Sequence, residues 1–262
     1  MAARLPGQVI FIGAGPGAAD LITLRGAERL RLADVVLFDA LTDPALRLLA
    51  PQALWVDVGK RGFCKATGQA TIDALLVRYA YSHDRVVRLK GGDPSVFGRL
   101  EEELQALARA GIACEVVPGV TAALAAAADT QRPLTRRGSG RSVSLSTAMT
   151  QEGQLQVGRH ADTEVFYMAG RQLGALARRL QAAGWPADTA TSVVSRAGWP
   201  DSLSSQHPLA ELGQAALLHA GRPTVVTVGA GAQVCDVAPT PQLPATRAAG
   251  QARLASRPMS AA

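Results

Sequence analysis

Val86 to Arg99, with the sequence Val-Val-Arg-Leu-Lys-Gly-Gly-Asp-Pro-Ser-Val-Phe-Gly-Arg, is the stretch that decides the fold. It opens as a buried strand, breaks at Gly91-Gly92, turns at Asp93-Pro94, and is followed by a helical period. Two glycines at the carboxyl end of a strand let a ligand approach the bare backbone, and open α/β sheets bind ligands at that edge. The stretch predicts either a ligand-binding loop with a carboxylate beside it or a tight turn capped by Asp93.

Length, composition and charge narrow the class of protein. The chain has 262 residues, 48% hydrophobic and 4% aromatic, which is enough to bury one large core or two modest ones. No apolar run reaches the length of a membrane span, so we expect no membrane association. The net charge of +6 favours an anionic partner without choosing between nucleic acid and a polycarboxylate.

The three cysteines and four histidines are scattered along the chain. No two cysteines have the Cys-x-x-Cys spacing, so we expect neither a disulfide framework nor a metal site. A chain with this cysteine usage is typical of a reducing compartment. We therefore expect a cytoplasmic protein.

A second glycine-rich loop follows the first predicted strand, Val9–Ile12. Residues Gly13–Ala18 have the spacing of the dinucleotide-binding fingerprint, and Asp34 or Asp39 would be the acidic ribose partner. A pyrophosphate site needs a helix N-terminus directly behind the glycines. Here Pro16 and four residues after Ala18 intervene before Thr23 can cap a helix. We therefore predict that no dinucleotide binds here.

Charged residues follow two further predicted strands. Asp39 ends the strand Val35–Phe38, where it is either a cap for the next turn or a working carboxylate, and the sequence does not decide between these. Lys60 and Arg61 follow the strand Leu54–Val58. They form either a solvated basic turn or a grip for substrate carboxylates.

A helix is predicted from Arg99 to a stop signal at Gly111. The acidic residues Glu101, Glu102 and Glu103 suit the first turn of a helix, because the helix dipole favours negative charge there. Arg99 does not suit it, which makes this arginine a candidate for substrate contact. Pairing with Glu102 or Glu103 is the alternative explanation.

The remaining pattern alternates strands with helices, which predicts an α/β fold with largely parallel strands. Further strands are expected at Cys114–Val117, Val143–Thr147, Val165–Met168, Thr191–Val194 and Thr224–Val228. Further helices are expected at Ile72–Tyr81, Ala122–Ala128, Leu173–Ala183 and Leu209–His219. From about Val237 the chain is rich in Pro, Ala and Arg, and we predict that it is disordered.

Several of these stretches together resemble the tetrapyrrole (corrin/porphyrin) methyltransferases. The resemblance is carried by the loop at Gly91–Pro94, the opening Gly13–Leu24, Gly59-Lys60-Arg61, the corner Pro118–Ala122 and Phe166-Tyr167-Met168. It covers about Gln8 to Ala230 and is stronger in the first half. The chain departs from the family pattern at Phe38, around Cys64, and at Leu100-Glu101, Arg136, Met149 and Ser195.

The resemblance implies a fold and an activity. The fold is two α/β domains, at 1–137 and 138–236, with a cofactor cleft between them, then a tail at 237–262, in a homodimer. The activity is methyl transfer from S-adenosylmethionine, which leaves S-adenosylhomocysteine, to two ring carbons of uroporphyrinogen III to give precorrin-2 for sirohaem and cobalamin. The alternative is an enzyme of the same fold acting on a later corrin precursor such as precorrin-4. An RNA-binding protein is disfavoured, because the arginines do not form an aromatic-interleaved patch.

The resemblance also implies roles for individual residues. Asp39 would be the proton acceptor and Lys60 the proton donor, with Arg99 and Glu102 as further catalytic residues. Arg61 and Arg137 would contact the carboxylates of the tetrapyrrole. The cofactor would be bound by Pro16, Gly91, Gly92, Asp93, Val96, Thr121, Ala122, Met168 and Ala197.

Overall fold

The computed structural model describes residues 5–59, 68–148 and 157–235. Its strands β1 to β10 span Gln8–Gly13, Val35–Phe38, Leu54–Asp57, Arg85–Lys90, Cys114–Val117, Val143–Thr147, Thr163–Tyr167, Ala190–Ser195, Leu203–Pro208 and Thr224–Gly229. Its helices α1 to α6 span Leu24–Arg31, Gln69–Ser82, Leu100–Arg109, Ala122–Asp129, Leu173–Ala182 and Ala215–Leu218. Short 3₁₀ helices lie at Ala19–Leu21, Pro44–Leu49, Leu209–Gln214 and Ala230–Ala232.

The first sheet contains five parallel strands in the order β3-β2-β4-β1-β5. The chain leaves β1 towards one edge of this sheet and leaves β4 towards the other. The point between these two central strands is therefore a topological switch point, where open α/β sheets form a ligand crevice at the carboxyl ends of their strands. The two glycine-rich loops begin at these ends, after Gly13 of β1 and Lys90 of β4.

Side chains alternate between the two faces of the first sheet, and both faces are covered. Ile10 and Ile12 pack with Leu30 of α1 on one face, whereas Val9 and Phe11 pack in the cluster that covers the other face. The strands are buried on both sides, which explains their continuous apolar runs. Each fully buried Leu or Ile side chain contributes about 1.5–3 kcal/mol to stability.

The second sheet has the order β6-β7-β10-β8-β9 and corrects the prediction of largely parallel strands. Only β6 and β7 pair in parallel, while β10 is antiparallel to both β7 and β8, and β8 is antiparallel to β9. Strand β9 was absent from the prediction. Its sequence, Leu-Ser-Ser-Gln-His-Pro, alternates half-buried and exposed positions but contains one strongly apolar residue, so it lacks the usual strand signal.

Two predicted helices also need correction. The expected helix at Leu209–His219 consists of a 3₁₀ turn, Leu209–Gln214, followed by the four residues of α6. Gly213 lies in this turn, packed 3.4 Å from Gly174 when measured from the position of an added Cβ, and glycine weakens a regular helix. Helix α3 begins at Leu100, and Arg99 precedes it with a left-handed backbone (φ 53°).

The two halves of the molecule are in direct contact. Helix α4 packs Ala123, Ala125 and Ala126 against the second sheet. Near it, Ala18 N donates to the carbonyl of Gly198 at 2.8 Å. The structure therefore confirms the predicted class, two α/β units with a cleft between them, whereas the exact boundary at residue 137 remains a prediction.

No helix in the described ranges is long and apolar enough to cross a membrane. The tail predicted to be disordered, 237–262, lies outside the described residues, as do Cys64 and Met149.

Candidate functional site

Backbone from three loops meets at the switch point of the first sheet. Gly15 and Gly92 exchange hydrogen bonds, at 3.3 Å and 2.7 Å, and form an isolated bridge. A Cβ added to Gly119 would lie 2.4 Å from the carbonyl oxygen of Gly92 and 2.7 Å from the Cα of Gly13. These glycines are needed because the three loops pack backbone against backbone.

The same geometry supports the prediction against a dinucleotide. The 3₁₀ turn Ala19–Leu21 separates the first glycine loop from α1. The N-terminus of α1 is capped by Thr23, whose Oγ1 accepts a hydrogen bond from Gly26 N at 3.1 Å. The helix N-terminus is therefore neither directly behind the glycines nor open to a pyrophosphate.

A cleft of about 880 Å³, including its open mouth, lies between the two sheets. All nine residues predicted to bind the cofactor line it: Pro16, Gly91, Gly92, Asp93, Val96, Thr121, Ala122, Met168 and Ala197. The other lining residues are Leu41, Phe97, Tyr167, Val194, Arg196, Trp199, Pro223, Thr224 and Val225. The structure thus brings together predicted residues that lie as far apart in the chain as Pro16 and Ala197, 181 positions. Their role as cofactor ligands stays a prediction.

A pair of hydroxyl groups crosses the cleft. Thr121 Oγ1 lies 2.7 Å from Tyr167 Oη, which joins the first half to the second. Thr121 occupies the N-cap position of α4, but its side chain makes no capping bond and is used for this contact instead. Burial raises the pKa of Tyr167, and its ring packs against Phe97 with centroids 5.0 Å apart. Tyr167 therefore stays a neutral hydroxyl at neutral pH.

The backbone is strained beside the cleft. Among the described residues, five that are not glycine have a positive φ, and three of these line the cleft: Phe97, Met168 and Arg196. Such conformations cost of order 1–3 kcal/mol each and cluster where a ligand site needs a fixed shape. This observation is independent of the sequence motifs and points to the same cleft.

Asp93 fixes the shape of the cleft by holding two loops together. Its Oδ1 accepts from Ser95 N at 2.8 Å and its Oδ2 accepts from Gly119 N at 2.9 Å. The capping turn and the ligand loop proposed from the sequence are therefore not exclusive, because the capped loop itself lines the cleft.

A buried network of four charges lies behind the loop at Gly91, and the sequence analysis missed three of its members. Arg88 donates through Nη2 to Asp39 Oδ1 at 2.6 Å and through Nε to Glu103 Oε1 at 2.9 Å. Lys90 Nζ contacts Glu103 Oε2 at 2.5 Å. Glu103 does lie in the first turn of α3, as predicted, but it is fully buried, so the helix dipole alone does not explain it.

The pKa directions follow from this arrangement. Burial disfavours the charge on Arg88, but Asp39 and Glu103 more than offset this, so the pKa of Arg88 is raised. Burial and the neighbouring Arg88 lower the pKa of Lys90. Two cations and two carboxylates together make the network neutral.

Asp39 also lines a second concavity, formed by the loop after β2. Its side chain is 30% exposed, in contrast to that of Arg88, which is 3% exposed. Arg47 also lines this concavity, and its guanidinium lies over the rings of Phe38 and Trp55, at 5.0 Å and 5.7 Å from their centroids. A carboxylate and a cation therefore border the same opening.

The other predicted site residues either do not line the cleft or are not among the residues that the structure describes. Arg99 makes a two-pronged ion pair with Glu102, with both distances at 2.7 Å, so the pairing considered as the alternative is present. Arg137 is exposed on the turn between Arg136 and Gly140. The two remaining residues, Lys60 and Arg61, lie outside the described residues. Within the described ranges no cluster of metal-binding side chains occurs.

A second buried network lies behind the wall of the cleft formed by Arg196 and Ala197. His219 is fully buried, and its ring nitrogens lie 2.9 Å from Ser195 Oγ and 2.9 Å from Ser205 Oγ. Arg222 Nε donates to Ser195 Oγ at 3.0 Å, which leaves the serine proton for Nδ1 of a neutral imidazole. Burial and the charges of His207 and Arg222 lower the pKa of His219.

We expect this histidine to make the protein less stable in acid. Because its pKa is lower in the folded state, the unfolded chain binds more protons, and stability is lost as the pH falls below the unfolded value of about 6.5. Melting temperatures measured from pH 7.5 to 5.5 should fall, and His219→Gln should flatten part of that fall. His160→Gln, at an exposed position, is the control and should follow the unaltered protein. An equal pH dependence in all three proteins would contradict the assignment.

The sequence of the chain matches a known protein family and individual members of it. The sequence model of one protein family, the tetrapyrrole (corrin/porphyrin) methylases, matches residues 8–213 of this chain. The chain is 40% identical over 234 residues to the uroporphyrinogen-III C-methyltransferase of Pseudomonas aeruginosa, which covers 86% of this chain and 94% of that enzyme. It is 41% identical over 229 residues to a siroheme synthase of Neisseria meningitidis, covering 85% of this chain but 47% of that protein.

A solved structure has the same architecture. The uroporphyrin-III C-methyl transferase from Thermus thermophilus, complexed with S-adenyl homocysteine, superposes with a TM-score of 0.75 at 36% identity. The match covers 85% of this chain and 97% of that one.

Proposed function

The chain belongs to the tetrapyrrole (corrin/porphyrin) methylases, and from this membership we propose that it methylates two ring carbons of uroporphyrinogen III to give precorrin-2. The methyl donor is S-adenosylmethionine, and its product is S-adenosylhomocysteine. The observation that carries the proposal is the convergence of all nine predicted cofactor residues on one cleft. The pathway role, in sirohaem or cobalamin synthesis, follows from precorrin-2 as the product.

The cleft suits a nucleoside joined to an amino acid. Most of its lining is apolar, including Val96, Val194 and Val225, as an adenine ring requires. Gly92 leaves open space above its Cα, where an added Cβ would meet nothing nearer than the Val120 carbonyl oxygen at 4.0 Å. The absence of a side chain at this point lets a ligand approach the loop backbone closely.

Methyl transfer from a sulfonium requires little covalent participation by the protein. The bound cofactor supplies an electrophilic methyl group on a sulfonium. The residues of the chain hold the cofactor and the tetrapyrrole in line, which is the main contribution of an enzyme to such a transfer. The methylated ring must then lose a proton, and we assign Asp39 as the acceptor because its carboxylate is part-exposed, oriented by Arg88 and close to the cleft loop at Leu41.

Cations would hold the acetate and propionate arms of the substrate. We keep Lys60 as proton donor, and Arg61 and Arg137 as substrate contacts, on the basis of the family motif alone. Arg47 joins them as a candidate, because it borders the same concavity as Asp39. Within the described ranges its guanidinium stacks on two aromatic rings and has no carboxylate partner.

Arg99 and Glu102 are assigned as a substrate-gripping pair beside the cleft. The arginine is 55% exposed and is presented by a left-handed backbone, and Glu102 holds its fork in place. We expect Arg99→Ala to reduce tetrapyrrole methylation at least ~10-fold, as expected for the loss of a bidentate contact to a carboxylate. The affinity for S-adenosylhomocysteine should stay unchanged.

Two further measurements complete the test of Arg99. Arg99→Lys should restore little activity, because a point charge does not reproduce a bidentate fork. Full activity in the alanine variant would return Arg99 to the role of a surface ion pair with Glu102.

The proposed function is tested directly by incubating the protein with S-adenosylmethionine and uroporphyrinogen III. We expect the absorption spectrum to change and the tetrapyrrole to gain two methyl groups by mass spectrometry. Titration calorimetry should detect S-adenosylhomocysteine binding and no NAD binding. A contrary result would be that the protein binds the cofactor and methylates a later corrin precursor such as precorrin-4 instead of uroporphyrinogen III. That result would identify the later precursor as the substrate.

The same proposal includes an assembly and a location. We propose a homodimer in the cytoplasm, which catalyses this step on a small-molecule substrate without nucleic acid. The proposal of a homodimer rests on the family resemblance.

A further inference from the structure

We propose that Arg88 is a positioning residue for the proton-accepting step, held in place by Glu103 and acting through Asp39. The proposal rests on the function assigned to Asp39 above. Arg88 and Glu103 are both buried, and neither lines the cleft.

Contacts at three nitrogens fix the orientation of the Arg88 guanidinium. Its Nε donates to Glu103 Oε1 at 2.9 Å, and its Nη1 donates to the carbonyl of Leu89 at 3.2 Å. With these two contacts made inside the protein, Nη2 points at Asp39 Oδ1, at 2.6 Å. A planar guanidinium anchored at two nitrogens fixes the direction of the third.

This fixed contact divides the two oxygens of Asp39 between different tasks. Oδ1 is held by Arg88, while no hydrogen bond from any described residue reaches Oδ2. The carboxylate is 30% exposed and borders a concavity, so Oδ2 is the oxygen available to a substrate. When the methylated ring loses its proton, Oδ2 takes that proton and the C–H electron pair returns to the ring.

Glu103 is needed because Arg88 is buried. An arginine that is 3% exposed requires a carboxylate partner, and Asp39 is committed to the substrate side. Glu103 supplies that partner, and Lys90 balances its second oxygen at 2.5 Å. The network is neutral as a whole, so it keeps its geometry without a net buried charge.

The role of Arg88 can be tested by a substitution that leaves the other charges of the network paired. Arg88→Met removes the guanidinium with a side chain of similar length, and the Glu103–Lys90 pair remains balanced without it. Asp39 keeps access to solvent. We expect kcat to fall at least ~10-fold, as for misplacement of a general base. The KM for uroporphyrinogen III and the affinity for S-adenosylhomocysteine should stay within about twofold, because Arg88 is buried and does not line the cleft.

The decisive measurement is a double-mutant cycle with Asp39→Asn. If Arg88 acts through Asp39, then Arg88→Met in the Asp39→Asn background should lower kcat further by less than about twofold. A merely structural role for Arg88 would give a loss that multiplies with that of Asp39→Asn, and this result would overturn the proposal. Full activity in Arg88→Met alone would also overturn it.

Two controls separate the possible failures. Arg29→Met removes an arginine that pairs with Glu115 at 2.9 Å in the same half of the molecule, and it should leave kcat unchanged. If Asp39→Asn is itself fully active, the role assigned to Asp39 fails, whereas an inactive Asp39→Asn with a multiplying Arg88→Met rejects only the positioning role. Arg88→Lys keeps the charge without the fork and should also lose kcat. Insolubility of both Arg88 variants would assign the residue to folding and overturn the proposal.

Discussion

Gly92→Val should weaken the binding of S-adenosylhomocysteine at least ~100-fold, a loss typical of a side chain that occupies ligand space. Gly92 lines the cleft, and a Cβ built on it meets no atom nearer than the Val120 carbonyl oxygen at 4.0 Å. The Cβ of the valine would therefore fit without displacing protein atoms, and its methyl groups would occupy space at the cleft wall. Titration calorimetry with S-adenosylhomocysteine measures the effect.

A control for backbone strain is built into the chain. Gly92 has a φ of +74°, and a left-handed backbone costs a residue with a Cβ about 1–2 kcal/mol, so Gly92→Val also loses some stability. Gly111 has a φ of +65°, and no atom lies within 4 Å of its added Cβ, at the far end of α3. Gly111→Val should lose similar stability and bind the cofactor product normally. Normal binding in Gly92→Val would show that this loop is only a turn.

Asp39→Asn should lower kcat at least ~100-fold, because general bases contribute about 10²–10⁴-fold to the rate. Asparagine has nearly the same shape as aspartate and can still accept a hydrogen bond from Arg88 Nη2. It does not accept the proton that the methylated ring loses. Initial rates of precorrin-2 formation measure the effect.

A second acid in the same loop provides the comparison for Asp39. Asp43 caps the 3₁₀ turn Pro44–Leu49 through a bond from Ala45 N at 2.8 Å, and it also accepts from Ala19 N at 3.0 Å. Asp43→Asn should therefore change stability more than kcat. The function of Asp39 would be rejected if both variants had the same kcat as the unaltered protein.

The cleft was predictable because its signals are local. Glycine and proline at the carboxyl ends of strands mark loops that need a bare or rigid backbone, and Gly91, Gly92 and Pro16 are such residues. Parallel strands place all their carboxyl ends at one edge of the sheet, so loops distant in sequence become neighbours. Local pattern and sheet geometry left a ligand-binding loop and a capped turn both open at this edge, and the family resemblance supplied the assignment of residues to the cofactor.

The buried charges were not predictable in the same way, although one signal was present. Arg88 and Lys90 alternate with apolar residues in a strand that is buried on both sides, and a charge in such a strand requires a partner. The identity of that partner depends on how α3 packs over the sheet. In the sequence, Glu103 is equally well explained as an acidic residue in the first turn of a helix, and only tertiary structure distinguishes the two.

The second sheet was less predictable because its edge strand is polar and its pairing is non-local. Strand β9 contains serine, glutamine and histidine, and β10 lies between two strands that precede it by about 30 to 60 residues. The alternation of strands and helices in the sequence does not reveal that β10 is placed between β7 and β8. This placement produces the antiparallel pairs of β10 with both strands.

The position of β10 also sets the order in which the protein is completed as it leaves the ribosome. In the first sheet the inner strand β1 lies at the start of the chain, so it must wait for β4 and β5 to be synthesised before it can pair. The second sheet receives its central strand last. Until β10 emerges, the pair β6-β7 and the pair β8-β9 have no strand between them. The cleft wall at Val225 therefore forms only when Thr224–Gly229 inserts, and a nascent chain that stops before this strand lacks a complete cleft.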